Sequence, residues 1–308
     1  MTSIDVLSDD VLLDIFNFYA NHPSDDESRT EKNAIEAWQL LVHVCRRWRS
    51  VVFGSPQHLN LHLVCTQGTT RDMVDIWPPF LLIIMDGANA SIAQAEGMDN
   101  IVAALERSDR VDNIRLSGPD SILFERLSTA MQEPFPKLTS LELCSLQTDR
   151  ASASTSVLPN SFFGGSTPHL RLLRLSGVPF PGLLNLLLSA TRLVQLDLLD
   201  TPHSAYISPE AMAPALSAMT SLKSLQIRFR SRRSHPNQES RPLPPPLRVV
   251  LPALLCFGFQ GASKYLDHLM ARIDAPQLAK VDITFFGQSV FDTTIRPIHY
   301  PYAKVEST

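Results

Sequence analysis

The side chains able to do covalent or metal chemistry are scattered along this chain. Its nine histidines are dispersed and include no HExxH pair, the arrangement that puts two zinc ligands on one helix face. Cys45, Cys65, Cys144 and Cys256 form neither a CxxC pair nor a dense framework, so they read as buried, reduced thiols of an intracellular protein, cytoplasmic and/or nuclear. The stretch GGSTP from Gly164 to Pro168 begins like the sharp turn that presents a nucleophilic serine. It lacks the closing glycine, and no strand leads into a helix there. Phosphate-cradling loops of the GxGxxG or P-loop type are absent from the sequence. The expectation is a non-catalytic chain with no catalytic residue, no metal and no cofactor.

Composition narrows the partner classes. With 308 residues, 44% of them hydrophobic, the chain can bury a substantial core in one or two domains. A formal charge of -4 supplies no electrostatic footprint for wrapping nucleic acid or coating an anionic membrane. The acidic start MTSIDVLSDDV has no basic segment followed by an apolar one, and apolar runs such as Phe80 to Met85 are far short of the roughly 20 residues a membrane span needs. Neither a membrane nor a nucleic-acid partner is expected.

The elements that must position any binding residues come next. Ser8 is a cap candidate, Asp9 and Asp10 complement a helix dipole, and Leu12, Ile15, Phe16 and Tyr19 recur at helical spacing, which predicts a helix of about three turns. The acidic NHPSDDESRTEKN reads as a solvated loop. A single second helix is predicted from near Asn33 to a stop at Gly54 and Pro56, with Ala34, Trp38, Leu41, Cys45, Trp48 and Val52 in one stripe. Leu40, Val44 and Val51 widen its apolar arc to about 200°, roughly twice what a surface helix uses. Such a helix is either sandwiched within its domain or docks a partner with its second flank.

From about residue 105 a Leu-x-x-Leu-x-Leu pattern returns. Copies fall at Leu138, Leu141 and Leu143; Leu170, Leu173 and Leu175; Leu193, Leu196 and Leu198; Leu222, Leu225 and Ile227. Others are Leu254, Phe257 and Phe259; Leu278, Val281 and Ile283; and a weaker first copy at Val111, Ile114 and Leu116. Their separation of about 23 to 32 residues, with helical patterns such as PGLLNLLLSAT and SKYLDHLMARI between them, is near the period of stacked strand-and-return units. One such unit cannot bury its own apolar face, so neighbours are expected to stack into an irregular solenoid with a parallel sheet on one side. Residues alternating with the buried leucines point outward. Arg115, Glu142, Arg174, Asp197, Gln226, Arg228, Gly258 and Asp282 are therefore candidates for a surface that holds a protein or peptide. The basic, proline-rich stretch at about 230–247 reads as an inserted loop between two units.

VLSDDVLLDIFNFY resembles the Leu-Pro-x-Asp-x-Leu-x-x-Ile-Phe opening of an F-box, with Ser8 in place of the usual proline. LLVHVCRRWRSVVFGSP resembles its Val-Cys-(Lys/Arg)-x-Trp-(Arg/Lys) signature. Up to about residue 292 the chain resembles F-box proteins with degenerate leucine-rich repeats, a type expanded in mushroom-forming fungi. The resemblance implies an α/β chain: a small helical F-box at 1–60, an irregular leucine-rich-repeat domain at 61–290 and an atypical tail at 291–308. It also implies a substrate-recognition subunit of a Skp-cullin-F-box ubiquitin ligase. Leu7, Val11, Leu12, Ile15, Phe16, Val44, Cys45 and Trp48 would contact a Skp-type adaptor, which links to a cullin scaffold, while the repeats hold an unknown protein substrate. The alternative is a repeat scaffold in which the F-box-like helices only cap the solenoid. The tail, TIRPIHYPYAKVEST, carries no repeat pattern, so a truncated or alternatively spliced product with an open last strand is expected.

Overall fold

The computed structural model describes residues 6–21, 35–69, 71–85, 95–117, 121–145, 157–230, 248–286 and 303–307. The acidic loop at 22–33, the basic proline-rich loop from 231 on and most of the tail lie outside the described residues. The chain is α/β and divides into two compact units, Met1–Asp112 and Asn113–Thr308.

In the first unit α1 (Asp9–Asn21) starts as expected, with the Ser8 hydroxyl accepting from the Val11 amide at 3.4 Å. The predicted second helix is instead two, α2 (Trp38–Val42) and α3 (Arg46–Gly54). The break is at Cys45, whose backbone is extended at φ -157° and ψ 172°. Val42, His43, Val44 and Cys45 are all weak helix formers, so little is lost by interrupting the helix there. The Arg49 Nε donates across the break to the Val42 carbonyl at 3.0 Å, satisfying an oxygen that α2 leaves open. The reversal turns Trp38, Leu41 and Val42 of α2 and Val51 and Val52 of α3 into one core with Leu12 and Phe16 of α1.

That core does not close on helices alone. Leu59, Leu61 and Phe80 join it, and the Trp38 indole packs edge-on against Phe80 and Trp77 with ring centres 5.0 and 5.2 Å away. Its Nε1 donates to the His62 carbonyl at 3.0 Å. This ties the helices to β1 (His62–Cys65), which pairs in parallel with β2 (Leu81–Met85). Helices α4 (Arg71–Ile76) and α5 (Ala95–Leu105) complete the unit.

The second unit carries a parallel sheet in sequence order. Its strands are β3 (Val111–Ser117, cut by the unit boundary), β4 (Ser140–Cys144), β5 (Leu172–Ser176), β6 (Gln195–Thr201) and β7 (Ser224–Phe229). After the two-residue β8 (Val249–Val250) follow β9 (Cys256–Gly261), the short β10 (Ile273–Asp274), β11 (Lys280–Phe285) and β12 (Ala303–Ser307). β8 and β10 pair separately, and β12 lies on β11, beyond the strand expected to be last. All seven Leu-x-x-Leu-x-Leu copies are at these strands, and their central residues Ile114, Leu141, Leu173, Leu196, Leu225, Phe257 and Val281 stand side by side in register. Helices α6 (Ser121–Ala130), α7 (Leu183–Ser189), α8 (Pro209–Ser217) and α9 (Ser263–Met270) lie between strands, α7 and α9 within the PGLLNLLLSAT and SKYLDHLMARI patterns.

The start of α8 holds a half-buried polar knot. Ser208 caps the helix by accepting from the Ala211 amide at 3.3 Å, and Glu210 meets Arg272 at 2.9 Å. Burial disfavours the Glu210 carboxylate, but its own backbone amide, the Ser208 hydroxyl, Arg272 and His268 outweigh that and hold its pKa below the ordinary value of 4.5. A depressed carboxylate stabilises the fold fully above the unfolded-state pKa, and that contribution disappears as pH falls through the lower folded-state value. Glu210→Gln is therefore expected to reduce stability at neutral pH, with the gap to the native chain narrowing as urea titrations are moved below pH 4.5.

The thiols are less hidden than expected. None of the four is in a disulfide, yet of these Cys65 alone is buried, Cys45 is exposed, and Cys144 and Cys256 are half-buried. Cys45 is exposed because it sits at the reversal between α2 and α3, whereas Cys144 and Cys256 alternate with inward leucine or phenylalanine residues on their strands.

Candidate functional sites on the helices and on the sheet

Two surfaces collect the residues singled out from the sequence. On α1 the apolar residues occupy two faces. Leu12 and Phe16, one turn apart, are fully buried. Val11, Ile15 and Phe18, spaced by four and three, form a second stripe that is 43, 46 and 65% exposed. Val44 and Cys45 are exposed at the reversal before α3, and Leu40 is exposed on α2. Arg47 joins these parts: it bonds the Asp9 carboxylate at 2.8 Å and the Leu7 carbonyl, which holds the first turn of α3 beside the start of α1. Leu7 and Trp48 are half-buried against the core, with the Trp48 ring 4.7 Å from that of Phe16.

Of the eight candidate adaptor contacts, Val11, Ile15, Val44 and Cys45 therefore face outward, Leu12 and Phe16 face inward, and Leu7 and Trp48 bridge the two. Phe18, Tyr19 and Leu40 extend the exposed apolar area. For Phe18 and Tyr19 the helical spacing from Val11 and Ile15 was the available signal, but periodicity alone does not tell which of two apolar stripes is covered. Exposed apolar surface collected in one region marks an interaction site on a folded protein.

On the sheet, seven of the eight outward positions form one transverse row: Arg115, Glu142, Arg174, Asp197, Gln226, Gly258 and Asp282 are successive register partners. Arg228 stands two residues further along β7. The first four residues alternate in sign and bind one another. Arg115 meets Glu142 at 3.1 Å, Glu142 meets Arg174 at 2.8 Å, and Arg174 meets Asp197 at 2.8 Å. Gln195 adds an Nε2 hydrogen bond to Asp197 at 2.8 Å. Only 1% of the Asp197 side chain reaches solvent. Burial opposes the Arg174 charge, but hydrogen bonds and attraction from Asp197 and Glu142 prevail and raise its pKa above the ordinary value.

This end of the row is a self-neutralised ladder, with much of its bonding capacity already committed. The other end is looser. Gly258 leaves space over which the Gln226 side chain lies, its Cγ 3.2 Å from where a Cβ would stand. Across the same gap Arg228 on β7 reaches Asp282 on β11 at 3.7 Å, with both side chains well exposed, at 41 and 57%. Gln226, Arg228 and Asp282 are thus the more available polar groups of this face.

The two glycines of GGSTP end a short 3-10 turn, Phe162–Gly165, in which Phe163, Gly164 and Gly165 have positive φ, and Ser166 follows it in extended backbone. Thr167 behind it is buried, and its amide is bonded to the Ser189 hydroxyl at 3.0 Å. Among the described residues no group of three or more His, Cys, Asp or Glu side chains is placed to hold a metal, and no helix is long and apolar enough to cross a membrane. No protein-family model matches the chain, and no curated protein matches it.

Proposed function

We propose that the chain is the substrate-recognition subunit of a Skp-cullin-F-box ubiquitin ligase, non-catalytic itself, in which the N-terminal helices dock a Skp-type adaptor and the strand-bearing unit holds a protein target. The observation that carries the reading is the division of labour on α1: Leu12 and Phe16 are spent on the core, while Val11, Ile15 and Phe18 are left at the surface. A helix that only finished a domain would need the first face alone. The reversal before α3 adds Val44 and Cys45 at the surface, beside the end of α1 that Arg47 secures. The target is then held on the sheet face, where Gln226, Arg228 and Asp282 are the most available groups.

The test is co-purification of the full chain with a Skp-type adaptor. Ile15→Asp and Val44→Asp put charge on exposed positions and are expected to weaken adaptor binding at least about thirtyfold, the loss of one strong contact, while leaving thermal unfolding unchanged. Leu12→Asp also abolishes binding, but by disrupting the core. A native chain that binds no adaptor sinks the ligase reading. The helices would then be a cap over the first strands, an arrangement favoured by the sharing of their core with Leu59, Leu61 and Phe80.

A further inference from the structure

A second surface of the strand-bearing unit lies away from the charged row, and its chemistry is independent of the ligase reading. Among the described residues β8 pairs with β10 alone. The Val249 amide donates to the Arg272 carbonyl at 2.7 Å and the Leu251 amide to the Asp274 carbonyl at 2.8 Å. In an extended strand the N–H and C=O of the residue between them point the opposite way. With Val249 paired to Ile273 and Val250 to Asp274, these two bonds turn the Val250 amide and carbonyl away from β10, and Val250 is 53% exposed. This open edge borders a cleft of about 560 Å³. One wall of the cleft is apolar, from Ala213 and Pro214 on α8 together with Val249 and Val250.

The charges around the cleft are unequal. Arg272 is paired with Glu210 at 2.9 Å and donates to the His268 carbonyl at 2.7 Å, so its charge is already matched. Arg248, the residue leading into β8, is exposed, and among the described residues no carboxylate lies within ion-pair distance of it. The cleft therefore offers one unmatched cation, one backbone donor and acceptor pair, and an apolar wall.

We propose that this cleft docks an extended, acidic peptide segment of a partner protein, which adds a strand to β8 through Val250, lays an apolar side chain against Ala213 and Pro214, and sets a carboxylate on Arg248. Backbone pairing supplies register, and the alternate side chains supply the choice of sequence. A basic segment is disfavoured, since its charge would face Arg248 with no carboxylate free to receive it.

Two fluorescein-labelled octapeptides provide the probe, one alternating valine with aspartate and the other valine with lysine, titrated with the full chain at low salt and followed by anisotropy. The acidic peptide is expected to bind about tenfold more tightly than the basic one, as expected when an exposed ion pair is exchanged for a like-charge contact. Arg248→Glu is expected to reverse that order. Val250→Pro, which removes the outward amide without removing a bond to β10, is expected to weaken both peptides. Equal affinities, an order unchanged by Arg248→Glu, or no binding of either peptide would each overturn the proposal. So would acidic-peptide binding that appears only once residues 232–246 are deleted, which would assign the cleft to that segment of the chain itself.

Discussion

Replacing Arg174 with methionine is expected to cost the fold about 2 to 3 kcal/mol, measured by urea denaturation at neutral pH. Arg174 is the bridge of the ladder, bound at 2.8 Å to both Glu142 and Asp197. Its removal leaves the Asp197 carboxylate, 1% exposed, with the Gln195 amide and no cation. Stripping one partner from a buried ion pair typically costs about 3 to 5 kcal/mol, and the lower figure allows for solvent reaching Arg174. Combining Arg174→Met with Asp197→Leu removes the stranded charge, so the double variant is expected to recover most of the loss. Arg228→Gln, in the looser and exposed pair with Asp282, is expected to change stability by less than about 0.5 kcal/mol. If Arg174→Met were as mild as Arg228→Gln, the ladder would have to be solvated rather than structural.

Trp38→Ala is expected to be the most damaging single truncation in the first unit, at about 3 to 5 kcal/mol. The indole is 1% exposed and packs edge-on against Trp77 and Phe80 at 5.2 and 5.0 Å, with Phe53 further out at 6.4 Å. Alanine would leave a cavity between helices and strands and strip the His62 carbonyl of its 3.0 Å donor. Hydrogen exchange is the discriminating readout: the amides of β1 and β2 should lose protection along with those of α2 and α3, because Trp38 is where the two meet. Protection retained in β1 and β2 would mean that helices and strands are stabilised separately. Trp38→Phe keeps most of the ring volume and loses the indole donor, so a smaller cost of about 1 to 2 kcal/mol is expected.

The two surfaces under the ligase proposal make different demands on the fold. Adaptor docking needs apolar residues that remain exposed, and the core face of α1 permits this because Leu12 and Phe16 already anchor the helix. Target binding on the sheet needs polar groups that are not consumed internally. The ladder consumes much of the capacity of Arg115, Glu142, Arg174 and Asp197, so under the proposal the polar groups left for a target are those toward β7 and β11.

Local periodicity was enough to locate most elements. The Leu-x-x-Leu-x-Leu spacing named the strand residues from Ile114 to Val281 and, by alternation, which neighbours point the other way, because a strand's side-chain period of two leaves no choice once one face is buried. Ser8, Asp9 and Asp10 likewise announced the start of α1, since capping and charge at a helix end act within one turn. Tertiary structure decided the rest. The continuous helical pattern from Trp38 to Val52 hid the break at Cys45, because a wide apolar arc is also produced by two short helices folded onto one core. The sequence contained both apolar stripes of α1 but could not rank them, since burial depends on what Trp38, Val51 and Val52 bring from elsewhere in the chain. Charges at Arg115, Glu142, Arg174 and Asp197 could be read as a binding surface until the strand register set them 2.8 to 3.1 Å apart. Their mutual neutralisation is a property of residues about 20 to 30 positions apart, and only the pairing of parallel strands puts such residues side by side.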